Sequence, residues 1–105
     1  MEPLEKIKNV VESSPVVIFM KGNPQFPQCG FSMRTVEALK ACGAEFEYVD
    51  VYAEPDVREN LPRFSEWPTF PQLFVNGELV GGCDIVLGMY QNGELQELLD
   101  GTRKT

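Results

Sequence analysis

With 105 residues, 43% of them hydrophobic and 24% charged, the chain is sized for one domain, residues 1–105, with a core of its own. Sixteen acidic against nine basic residues leave a formal net charge of −7, and no basic cluster stands ready to neutralise phosphates, so nucleic acid is excluded as a partner. No run approaches the roughly 18 apolar residues that span a bilayer, so no membrane contact is expected, and the lack of histidine removes every mechanism that needs an imidazole.

In chain order, the first segment reads as a helix over roughly residues 3–13, with Leu4, Ile7 and Val11 on one face. Glu2, Glu5 and Glu12 among its lysines match neither a secretory signal nor an acid-poor transit peptide, which predicts a cytoplasmic protein. After Pro15, the run Val16-Val17-Ile18-Phe19-Met20 reads as a strand buried on both faces. Lys21 to Gln28 is a loop punctuated by Gly22, Pro24 and Pro27, and it delivers the chain to Cys29. From Gly30 onward Met33, Val36 and Leu39 recur at helical spacing, with Gly43 as the stop. Phe46-Glu47-Tyr48-Val49 is a second strand. Pro55 opens a third helix, on which Val57, Leu61 and Phe64 share a face and Pro62 weakens the last turn.

Leu73-Phe74-Val75, Asn76-Gly77 and Leu79-Val80 make a hairpin, because Asn-Gly suits a type I′ turn. A final helix begins near Asp84, turns Ile85, Met89 and Tyr90 inward, and continues through Leu95, Leu98 and Leu99. The order αβαβα, hairpin, helix predicts an α/β fold, a four-stranded mixed sheet flanked by helices on both faces. The Arg103-Lys104 tail reads as a solvated end.

Cysteine carries most of the chemical signal. Cys29, Cys42 and Cys83 form an odd set with no Cys-x-x-Cys, unlike a disulfide-stapled secreted domain. Three thiols and no imidazole also fall short of a four-ligand zinc site. Cys29 stands where a loop meets a helix N-terminus, and Lys21 lies in the same loop. Helix amides and a nearby cation both favour the thiolate, the form that attacks disulfides and binds metal. Cys42 falls late in that helix as a packed, inert thiol. Cys83 follows Gly81-Gly82 at another strand-to-helix junction, where a tight turn and a resolving role toward Cys29 are both open. Asp84 suits an N-cap. The two prolines of Trp67-Pro68-Thr69-Phe70-Pro71 either stiffen a loop or, with a cis bond before Pro71, expose backbone groups beside Cys29. Arg58 alone reads as a solvated charge.

Cys29-Gly30-Phe31-Ser32 resembles the CGFS signature of monothiol glutaredoxins. The resemblance extends to Lys21-Gly22, to Trp67-Pro68-Thr69-Phe70-Pro71-Gln72 and to Gly81-Gly82-Cys83-Asp84, in family order and spacing over nearly all of the chain. It implies a thioredoxin fold in one glutaredoxin domain, with Pro71 as the cis-proline and Cys29 as the catalytic thiol. It implies that Lys21 and Arg58 hold carboxylates of glutathione, that Thr69 and Phe70 pair with its cysteine moiety, and that Gly82, Cys83 and Asp84 receive its γ-glutamyl end. It further implies a [2Fe-2S] cluster bridged between two subunits by Cys29 and glutathione, carried toward apo iron–sulfur clients, with BolA-like proteins as partners. Four thiolate ligands are the usual need of such a cluster, and one chain offers one exposed thiol. Ser32 replaces the second sulfur of a dithiol motif. Glutathione-dependent removal of glutathione from protein thiols through Cys29 alone is the alternative activity.

Overall fold

A computed structural model of the chain describes residues 2–102; the Arg103-Lys104 tail lies outside the described residues. The elements run α1 (Pro3–Ser13), β1 (Val16–Met20), α2 (Gly30–Ala41), β2 (Glu47–Asp50), α3 (Pro55–Ser65), β3 (Gln72–Val75), β4 (Glu78–Gly81), α4 (Cys83–Gln91) and α5 (Glu94–Asp100). Prolines open α1 and α3, where a missing N–H leaves no intrahelical bond unmade. The strands form one sheet in the order β2-β1-β3-β4, with β1 parallel to β2 and the other two pairings antiparallel. A βαβ crossover followed by a hairpin is therefore realised, and the fold is the mixed α/β arrangement that the element order predicts.

β1 divides the interior. Its alternate side chains Val16, Ile18 and Met20 join Val36 and Leu39 of α2, Val86 of α4 and Leu95 and Leu99 of α5 on one face. Val17 and Phe19 point the other way, into Ile7 and Val11 of α1 and Val57 and Leu61 of α3. Each fully buried side chain of this size contributes about 1.5–3 kcal/mol. Phe19 also meets Phe74 edge to face at 5.5 Å. On the outside, Lys6 bridges α1 to the start of α3 through Glu54 at 3.0 Å and Asp56 at 3.2 Å.

Several expectations shift. The last helical stretch is two helices, broken at Asn92 and Gly93, the latter at φ +86°. Ile85 and Tyr90 do not turn inward; they are 41% and 44% exposed, and Val86 fills the core position instead. Leu4 and Met33, each placed on an apolar face by spacing, stand at the surface. β2 starts and ends one residue later than its apolar run. Pro62 is accommodated: α3 continues to Ser65 and stops at left-handed Glu66, φ 56°. The hairpin turn has Asn76 at φ 52° and Gly77 at 82°, the two positive values of type I′. Among the described residues no helix is long and apolar enough to cross a membrane.

Candidate functional site

Sheet register gathers four connections at one end. β1 and β2 finish side by side at Met20 and Asp50. β3 enters beside them, with Gln72 opposite Phe19, and β4 leaves next to β3 at Gly81. The loops carrying Lys21 to Cys29, Trp67 to Pro71 and Gly82 to Asp84 thus share this end with the turn into α3. Ligand sites of mixed and parallel sheets lie off such strand ends.

The first loop is internally fastened. Lys21 accepts a hydrogen bond from the Gln28 amide at 2.8 Å, Asn23 Oδ1 accepts the amides of Gln25 and Phe26, and Gly22 bridges to Pro27. Gly22 has φ +89°, and a Cβ there would lie 2.6 Å from the Phe26 carbonyl oxygen and 2.7 Å from the Gln28 nitrogen. Only glycine meets both demands.

Cys29 is the N-cap residue of α2, extended at φ −152°, ψ 135°, and half-buried. It closes no conventional capping hydrogen bond; the first amides of the helix act on its sulfur as oriented dipoles. Burial, the largest single influence, pushes its pKa up. The amides of Ser32 and Phe31, the charge of Lys21 and the Ser32 hydroxyl together outweigh that and hold the thiol below its ordinary range. Ser32 is fully buried, and its hydroxyl accepts the Lys21 amide at 3.1 Å. The residue standing in for a second thiol therefore ties the loop to the helix and supports the first thiol.

Of the two readings open for its prolines, the second loop takes the one that the resemblance implies: Phe70-Pro71 is cis. Gln72, with no exposed surface, donates through Nε2 to the carbonyls of Trp67 at 2.9 Å and Thr69 at 3.1 Å, closing the loop on itself. Thr69 is exposed, while the Phe70 side chain packs against the α1–α3 core. Gly82 fits against this loop: a Cβ would sit 3.2 Å from Trp67 Nε1 and 3.3 Å from the Pro71 oxygen. Trp67 Nε1 and Gln72 Oε1 are buried without hydrogen-bond partners.

Asp84 is not the N-cap. Gly82 takes that position in an extended conformation, Cys83 is the first helical residue, and Asp84 lies exposed in the first turn, where its charge still complements the helix dipole. Cys83 and Cys42 are buried, and the three thiols form no disulfide in this structure. Arg58 is exposed on α3, its guanidinium 5.3 Å from the Tyr52 ring centre. Lys21, Cys29 and Ser32 thus meet directly, Pro71 and Gly82 touch, and Arg58 stands at the same sheet end beyond Asp50. Asp50, Tyr52 and Gln72 escaped the sequence reading as site residues. A lone carboxylate ending a strand and a glutamine opening an apolar one were the available signals. Among the described residues no three Cys, Asp or Glu side chains gather as a metal-ligand set.

Residues 16–80 match the Glutaredoxin family. The chain is 60% identical over 99 residues to Glutaredoxin 4 of Pasteurella multocida, covering 94% of this chain and 91% of that protein. Its structure resembles the holo form of glutaredoxin C1 from Populus tremula x tremuloides, with a TM-score of 0.87, 30% identity, and 98% and 91% of the two chains covered. The buckwheat glutaredoxin–glutathione complex matches with a TM-score of 0.84, 27% identity, and 97% and 93% covered.

Proposed function

The chain belongs to the glutaredoxin family as a monothiol member, and from that premise we propose that it binds glutathione beside Cys29 and carries a [2Fe-2S] cluster between two copies of itself. One observation carries the reading: a stabilised thiolate at a helix N-terminus whose neighbouring motif position holds a buried hydroxyl, Ser32. With no second thiol in the motif, no disulfide closes there to displace whatever Cys29 holds. The glutathione complex of the buckwheat neighbour and the holo form of the poplar neighbour support the same reading.

Glutathione lies with its glycyl carboxylate toward Lys21 and Arg58 and its cysteinyl backbone along Thr69, Phe70 and Pro71. Its γ-glutamyl end meets Gly82, Cys83 and Asp84, where the opening amides of α4 favour a carboxylate. The cluster is cargo. Cys29 supplies one thiolate ligand, Cys29 of a second copy another, and two glutathione thiolates the rest. Such a carrier is cytoplasmic, serves apo iron–sulfur clients and docks BolA-like proteins.

A second reading uses the same low thiol pKa. The Cys29 thiolate attacks the glutathionyl sulfur of a mixed disulfide and releases the protein thiolate. Free glutathione thiolate then attacks the new Cys29–glutathione bond, leaving glutathione disulfide. Anaerobic reconstitution with iron, sulfide and glutathione separates the two. Visible cluster absorption that vanishes in Cys29→Ser and without glutathione supports the carrier. A colourless protein with robust turnover of glutathionylated peptide supports the oxidoreductase.

A further inference from the structure

Tyr52 and Arg58 form a contact that the core does not require. Tyr52 lies in the turn after β2, 46% exposed, and the Arg58 guanidinium carbon is 5.3 Å from its ring centre, within reach of a cation–π interaction. The ring is located through its backbone. Its N–H donates to Asp50 Oδ1 at 2.9 Å, and the same oxygen accepts the Gly22 N–H at 3.0 Å. Asp50 thus pins the Tyr52 turn to the loop that carries Lys21 toward Cys29. Lys21 and Arg58, cations from different elements, are referenced to one carboxylate.

We propose that Tyr52 is a positioning residue, whose ring presets Arg58 for the glycyl carboxylate of glutathione while Asp50 holds Tyr52 and the Lys21 loop in one frame. The proposal rests on the glutathione reading above. Stacking occupies the face of the guanidinium, whereas a carboxylate takes its N–H edge, so the two contacts coexist. An arginine already stacked has less rotamer freedom to lose on binding. Tyr52 touches no reacting atom.

The test is the equilibrium between Cys29 and glutathione disulfide, in which Cys29–glutathione forms and one glutathione thiol leaves. It is run on the full chain with glutathione disulfide and with its analogue amidated at both glycyl carboxylates. Tyr52→Leu lowers the equilibrium constant on the order of three-fold for glutathione disulfide and leaves the analogue unchanged. Tyr52→Phe, which keeps the ring, matches the parent. Asp50→Ala repeats the loss, and Asp50→Asn, which keeps an oxygen acceptor, restores it. In an Arg58→Gln background Tyr52→Leu has no further effect. An equal loss with both probes, a loss that persists in Arg58→Gln, or no loss at all overturns the proposal. If Arg58→Gln is also silent while Cys29 still takes up glutathione, the Tyr52 assignment fails and the glutathione reading stands. If the parent forms no Cys29–glutathione, the reading itself fails.

Discussion

Lys21→Gln removes one of the influences that hold the Cys29 thiol down, and it leaves the amides of Ser32 and Phe31 in place. The midpoint of Cys29 alkylation by iodoacetamide against pH should therefore rise, yet stay below that of an ordinary thiol. The sign follows from linkage. A lowered folded pKa favours the folded thiolate, so that contribution is present above the unfolded pKa and is lost as pH falls through the folded value. An unchanged midpoint in Lys21→Gln contradicts the assignment. Cys29 was legible in sequence because a loop with glycine and prolines ran straight into a helical pattern. The depth of Ser32 was not, since a hydroxyl in a helix's first turn is as often solvated. Asp50, Tyr52 and Arg58 come together only after β2 and α3 are placed, which no local pattern encodes.

At the scale of elements, Gln72 decides whether the Trp67–Pro71 loop holds its shape. Gln72→Met deletes donors to two carbonyls, a loss of about 1–3 kcal/mol, partly offset because the unpartnered Oε1 leaves with them. Urea unfolding should show a net destabilisation toward the low end of that range, and the equilibrium constant for Cys29–glutathione formation from glutathione disulfide should fall. Full stability would contradict the role given to Gln72. β1 was readable outright, since five β-prone apolar residues in a row leave no solvent face. α4 and α5 were not separated because Leu95 and Leu99 resume a helical spacing directly after the break, although Asn92-Gly93 marks it. Ile85 misled for another reason: in the first turn of α4 it lies against Gly81, the last residue of the edge strand β4, where it stays 41% exposed.

For the whole molecule, the sheet end that gathers these loops is the proposed site. The fold itself, two helical layers on a mixed sheet, follows from alternation along β1 and from a helix crossover before a hairpin, both visible in the sequence. The gathering of three loops at one sheet end needed register, which spacing alone does not give. In the proposed carrier two copies of net charge −7 repel at long range, and the cluster with its glutathiones is the bridge that opposes this. The most direct test is native mass measurement of the protein reconstituted with iron, sulfide and glutathione. Two chains, two glutathiones and one [2Fe-2S] cluster are expected, reverting to single chains when the cluster is removed. A cluster-loaded single chain, or a loaded dimer without glutathione, would contradict it.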